Sequence, residues 1–427
     1  MTVKVPAIIL SVMAVTACSR TADARGLYAG LGLPHDQAIQ SLVDSVNADS
    51  LMATVRRLQA FATRRTHTDS CRAAADWIQG RLGGWGYQVS VDSFWVDSLY
   101  HGFGTTINIH TAGYAYNLEA LVPGRADSQA SYVLGGHYDS FNEHSQPNSY
   151  DDPYAPAPGA DDNGTGVACM LECARLFRQR PWESSLRFVA LGNEEFPYSG
   201  GYRYASRARQ SGLDIGAFIN LDCIGFDGAE PGAMTDWYGD SSGQALSELY
   251  RQVGRLYAPG IGLQVGEYRP IGDTLYTPDF WPFCYFGYPS IMAMEKDWKH
   301  NFTRFMHSVG DTAGNIDPAF FAAAVKNAAA AMAVLSDYPS PVDLRIDEMS
   351  AGTTVRVAWL PNPKHDVAFY RTFFGHRSGR IDSTMTTQLC DTIEGLSPGS
   401  TYHITVRAYD AQGHPSVLAY DHIYTPR

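Results

Sequence analysis

Five acids and two histidines in this 427-residue chain are of types that ligate metal ions or carry protons, and they fall in short motifs. "HYDS" holds His137 and Asp139, "PGADDNGTG" holds Asp162 beside Asp161, and "NEE" holds Glu194 and Glu195. "NLDCIG" adds Asp222 and "FMHSVGDT" adds His307. Each has an ordinary explanation alone. "DDNG" suits a turn or a helix cap, and a single histidine is usually structural. Together they resist that explanation. Glu194 and Glu195 repel each other, and partial burial would raise the cost, yet they directly follow an apolar run. Metal chemistry accounts for the whole set, because zinc accepts imidazole nitrogen and carboxylate oxygen and its catalytic sites keep a position open for water. Asp162, Glu195 and Asp222 bring three negative charges. One dication leaves negative charge in excess, whereas two dications and a hydroxide balance it, and two metals ~3.5–4 Å apart can share a carboxylate.

The elements that must position these residues are visible as apolar runs. "YVLGG" precedes His137, "RFVALGN" precedes Glu194, and "AFINL" precedes Asp222. Three runs deliver candidate ligands at the same end, which is where open α/β sheets form their ligand crevice. Residues 40–82 read as helical. "GVACMLECARLFRQR" reads as a helix with Val167, Met170, Leu171, Ala174 and Phe177 on one packed face. "AFFAAAVKNAAAAMAVLSDY" reads as a last long helix. Apolar strands alternating with helices predict an α/β layer fold over residues 41–338. After "PSPVD", residues 341–427 turn to short alternating segments. "LSPGSTYHITVRAYD" resembles the end of a fibronectin type III module, a small all-β sandwich with Trp359 in its core and Tyr402 as tyrosine corner.

Composition limits the alternatives. Apolar residues make up 45% and aromatics 12%, as in a globular protein, and a formal charge of −12 argues against nucleic-acid binding. No apolar run is read as long enough to span a membrane, so the body is expected to be soluble. "MTVKVPAIILSVMAVTAC" reads as a secretory signal over residues 1–18, and "VTAC" resembles the lipobox of bacterial lipoproteins, with Cys18 acylated. Membrane contact would then be through the lipid anchor alone, with 19–40 as linker. Ser19 resembles signals for the outer membrane, so the protein is expected in the periplasm or on that membrane. Export implies an oxidising compartment, but the six remaining cysteines lack disulfide-scaffold spacing, and Cys169 and Cys173 read as packed thiols.

Over residues 110–335 the five motifs, in this order, resemble the di-zinc aminopeptidases of metallopeptidase family 28. The resemblance implies a mixed, mostly parallel sheet between helices, as in zinc exopeptidases. It implies two Zn²⁺ ions, one held by His137 and Asp222, the other by Glu195 and His307, with Asp162 bridging. Asp139 would orient His137. Glu194 would remain free as general base, moving a proton from the attacking water to the leaving amine of a peptide substrate. Asp279 in "YTPDFWPF" stands where the family has an acid that orients the second histidine, although Phe280 replaces the usual following histidine. A different class also shares the fold. Glutaminyl cyclases carry similar "HYDS" and "NLDxIG" motifs with one zinc, and a non-catalytic binding protein is a third reading. Cys223 and Met306, with Phe280, Trp281 and Phe283, would either line an apolar pocket for an N-terminal Leu, Met or Phe or belong to the sheet core. The loop "FNEHSQPNSYDDPYAPAP" would rim the cleft, with Glu143, Asp151 and Asp152 either solvated or holding calcium.

Overall fold

The computed structural model describes residues 32–97, 99–102, 105–108, 112–125, 130–195, 199–228, 232–267, 278–295, 304–350, 353–364, 367–376, 381–418 and 422–426. The signal and lipobox segment lies outside the described residues. The helical stretch read over 40–82 is three helices: α1 (Gln37–Asp44), α2 (Ala48–Gln59) and α3 (Asp69–Gly84). Asp36, Asn47 and Thr68 cap them, each side chain accepting a backbone N–H of the first turn. α1 therefore begins inside the segment expected to be linker, because its cap and its buried Ile39 and Val43 tie it to the core.

Strand β1 (Ser90–Val96) is followed by a separate hairpin, β2 (Leu99–Gly102) and β3 (Thr105–Asn108), and then by β4 (Gly113–Val122) and β5 (Ser131–His137). Next come α4 (Gly164–Phe177), β6 (Ser185–Leu191), α5 (Gly200–Ser211), β7 (Ile215–Leu221) and β8 (Ala233–Tyr238). The unit closes with α6 (Ser241–Tyr257), β9 (Gly262–Glu267), α7 (Phe280–Tyr285), β10 (Ser290–Glu295) and α8 (Pro318–Asp337). The main sheet runs β1-β4-β6-β5-β7-β10-β8-β9. Its centre, β6-β5-β7-β10, is parallel, while β1, β4 and β8 join antiparallel. The sheet is mixed, as the resemblance implied. β5 is buried along its whole length. At Gly136 an added Cβ would stand 2.5 Å from Leu221 O and 2.9 Å from Asn163 Nδ2, so only glycine lets β5 and the start of α4 approach this closely.

Two helices depart from the sequence reading. α4 is buried nearly all round, Cys169 and Cys173 included, because α2, α3 and α8 cover the side turned away from the sheet. All six described cysteines are free. α8 is long and apolar enough to cross a membrane by length and composition, which corrects the reading that no run reaches that length, but 78% of its apolar window is buried inside the protein.

The C-terminal strands are β11 (Leu344–Ser350), β12 (Thr354–Trp359), β13 (Val367–Gly375), β14 (Ile381–Thr386), β15 (Cys390–Glu394), β16 (Tyr402–Asp410) and β17 (His422–Tyr424). They form two sheets, β11-β12-β15 and β14-β13-β16-β17, around Trp359, Tyr370, Ile404 and Val406. Ser397 N–H donates to the Tyr402 hydroxyl (3.0 Å), the bond that defines a tyrosine corner. This sandwich is docked on the first unit. Buried Lys364 donates from Nζ to the carbonyls of Leu335 (3.2 Å), Ser336 (2.5 Å) and Tyr338, at the C-terminus of α8. His414 stacks on Tyr338 at 4.3 Å, and Val417 belongs to the main core.

Candidate functional site

The carboxyl ends of β5, β6 and β7 deliver His137, Glu194 with Glu195, and Asp222 to one place, as strand direction requires. Asp162 enters just before the Asn163 cap of α4, and His307 from the loop before α8. His137 Nε2 lies 3.3 Å from Asp162 Oδ1 and 3.5 Å from Asp222 Oδ1. His307 Nε2 lies 3.2 Å from Asp162 Oδ2 and 2.7 Å from Glu195 Oε2. The two oxygens of Asp162 thus serve two donor groups, His137–Asp162–Asp222 and Asp162–Glu195–His307, each with ligand atoms within 4.8 Å of one another. Glu194 stands just outside, with Oε2 3.9 Å from His137 Nε2.

Buried polar groups hold this arrangement. Asp139, fully buried, accepts the consecutive N–H groups of Glu194 and Glu195 (both 3.1 Å) and the Thr66 hydroxyl (3.3 Å). Its Oδ1 is 3.6 Å from His137 Nδ1, so it touches the imidazole and the turn carrying both glutamates. Asp311 does the same opposite, accepting the N–H groups of Asp161 (2.8 Å) and Asp162 (3.0 Å). Arg64, buried between α2 and α3, donates to the carbonyls of Tyr138, Pro158 and Gly159 and so ties the "HYDS" and "GADDN" segments together. Sequence reasoning passed over Asp311, although it lies inside a quoted motif, and over the loop carrying Arg64 and Thr66.

The electrostatics call for cations. Burial works against charging His137 and His307, yet the surrounding carboxylates push both imidazoles well above their ordinary range. Burial, reinforced by Asp162, pushes Glu195 up to about 7, and its buried Oε1 has no hydrogen-bond partner. Burial also lifts Glu194 well above a normal carboxylate, with its acidic neighbours adding to the shift. An unpartnered buried carboxylate oxygen amid imidazoles crowded by acids is a donor set lacking its acceptor, and two shared-carboxylate groups of N and O donors fit zinc.

Other candidates fall elsewhere. Asp279 is buried with the His137 half of the site among its charged neighbours. Burial raises it to about 7, its charged neighbours are His137, Asp139 and Asp222, and the Gly201 N–H supports it. The acid beside His307 is Glu143, 3.6 Å from Nδ1. Asp152 caps a turn at Tyr154 N–H and Asp151 is exposed, so the loop acids do not gather around a calcium ion. Phe280 and Phe283 are fully buried with Phe218 and Val133, which settles them as sheet core. Cys223 is buried too, its Sγ 3.5 Å from Asp222 Oδ1, and Met306 is partly exposed.

Residues 117–332 match the model of peptidase family M28, and residues 339–419 match that of the fibronectin type III domain. A probable zinc metalloprotease of Pyrenophora tritici-repentis is 32% identical over 215 residues, covering 46% of each chain, so the match spans about half the length of that curated relative. A probable leucine aminopeptidase of Arthroderma otae is 25% identical over 317 residues, covering 72% of this chain and 78% of its own. Among solved structures, the Legionella pneumophila LapA aminopeptidase superposes with a TM-score of 0.54 at 15% identity, covering 70% of this chain and 75% of its own. A Bacteroides thetaiotaomicron glutaminyl cyclase superposes with a TM-score of 0.51 at 18% identity, covering 70% and 98%. At these identities the structures speak for the fold.

Proposed function

Because the chain belongs to peptidase family M28, we propose that it is an exported zinc aminopeptidase that removes N-terminal residues from peptides with two metal ions. The observation that carries this reading is Asp162, whose two oxygens face two separate donor groups. His137 and Asp222 would hold one ion and Glu195 and His307 the other, with Asp162 between them. The ions, when bound, supply Lewis acidity and an acidified water near neutral pH.

The chain's own residues do the rest. Glu194 accepts a proton from the attacking water and hands it to the leaving amine, from its place just outside the donor groups, 3.9 Å from His137 Nε2. Asp139 fixes the Nδ1 side of His137 and the backbone of the Glu194–Glu195 turn, so acid–base group and ligands move as one body. The signal-like segment and Cys18 support export and a lipid anchor at a bacterial envelope.

Turnover of a leucine anilide and cyclisation of an N-terminal glutamine peptide, with metal content on the same sample, test this reading. Two zinc ions per chain and anilide hydrolysis are expected. Glu194→Gln should lower kcat by roughly 10²–10⁴-fold while both ions stay bound. One zinc with ammonia released from the glutamine peptide would replace the aminopeptidase with a cyclase.

A further inference from the structure

We propose that Glu143, in the loop between β5 and α4, is a positioning residue for His307, as Asp139 is for His137. The inference rests on the two-metal reading above. Each imidazole turns Nε2 inward to Asp162, at 3.3 Å for His137 and 3.2 Å for His307. Each also has a carboxylate oxygen 3.6 Å from its outward Nδ1, from Asp139 in one case and Glu143 in the other. An imidazole offers its Nε2 lone pair to a metal only when the proton sits on Nδ1, and a carboxylate opposite Nδ1 favours that tautomer.

The same loop also grips the His307 backbone. The N–H groups of Glu143 and His144 both donate to His307 O (2.9 and 3.0 Å), and Ser145 Oγ accepts Val309 N–H (3.1 Å). The Phe141 ring stands edge-on to His307 at 5.7 Å. Asn142 braces the loop by donating to the carbonyls of Pro147 and Pro156 and accepting Ser145 N–H. This grip has something to hold. His307 has φ +53, in the left-handed region that L-residues rarely occupy, and it rides on a loop, whereas His137 ends a buried strand. The loop read from sequence as a solvated rim is thus the support of one ligand.

The test is competition with a chelator at buffered free zinc, counting ions bound to the full chain and to Glu143→Gln, Glu143→Ala and Glu143→Asp. Melting of the metal-free forms serves as the structural control. Glu143→Gln and Glu143→Ala should weaken one of the two ions by about 10–100-fold and leave the other unchanged. Glu143→Asp should recover part of the loss, and the metal-free melting temperatures should match that of the original chain. Unchanged affinity for both ions in Glu143→Gln, or equal loss of both, overturns the proposal. Failure of the unaltered chain to take up two zinc ions overturns the two-metal reading instead. Glu143→Gln keeps the side-chain shape, so a misfolded alanine variant would not end the test.

Discussion

Three residues without glycine's freedom adopt positive φ at the site: Asn193 (+66), Cys223 (+50) and His307 (+53). Asn193 precedes the two glutamates, Cys223 follows Asp222, and His307 is itself a proposed ligand. Such backbone costs of order 1–3 kcal/mol per residue and persists where surroundings over-determine it. The surroundings here are the Asp139 clamp and the Ser199 N–H beside Asn193, the Glu295 N–H on Cys223 O, and the Glu143 and His144 N–H groups on His307 O. Asp311 clamps the neighbouring Asp161–Asp162 turn in the same way. Asp311→Ala should leave two buried N–H groups unpaired and lower stability by about 2–4 kcal/mol. It should also weaken zinc binding about tenfold or more, because the Asp162 backbone loses its anchor. Thermal melts with and without chelator separate the two effects. The ligand types and their order were legible in the sequence because motif residues must be of particular chemistry. The clamps were not, since any buried acid can accept an N–H and nothing in the spacing says whose. Glu143 was read as solvated or calcium-holding for the same reason: its contact with His307 spans more than 160 residues of chain.

Strand β8 carries a buried acid that the site does not use. Asp236 sits mid-strand and fully buried, takes the Ser247 hydroxyl as a donor, and leaves Oδ1 without a partner. Burial raises it to about 7, well above an unfolded aspartate. The folded protein therefore holds a proton that the unfolded chain has released, and stability falls as pH rises from ~4 through ~7. Asp236→Asn, which keeps the shape and removes the charge, should raise the melting temperature at pH 8 and have much less effect at pH 5. Its stabilisation at the higher pH should be on the order of a few kcal/mol. A profile with the opposite slope would mean that Asp236 is ionised in the fold. At this scale the sequence revealed β5, β6 and β7 well, since each is a continuous apolar run closed by a polar motif. It misjudged α4, because a 3.6-residue pattern marks one apolar face and Gly, Thr and Cys on the opposite face give no sign that other helices will cover them.

The two domains behave as one packed body around the end of α8. Lys364 presents a buried ammonium to three carbonyls of the last turn, where the helix dipole favours a cation. Lys364→Met should leave those carbonyls unsatisfied and cost about 2–4 kcal/mol. The melting temperature should fall by roughly 5 °C. Limited proteolysis at residues 339–343 should quicken as the sandwich loosens, while zinc binding stays unchanged. Unaltered cleavage would show that the docking does not depend on Lys364. The sandwich, and that it would dock on or space the first unit, was readable from its tyrosine corner, core tryptophan and linker, but the way it docks was not, since a lysine in sequence gives no hint that it will be buried.

That docking also bears on how the protein is made. The main core contains Leu33 and Ile39 at one end of the chain and Val417 at the other, with Leu418 packed against it. At ~5–20 residues synthesised per second, α1 waits ~15–60 s for α8, the helix that covers it. Through that interval the apolar face of α1 stands open, and the end of α8 then stays open until the sandwich follows. A holding chaperone would therefore be engaged until the last strands of the sandwich are in place, and chains truncated before residue 410 should be cleaved faster at the end of α8 than the full chain.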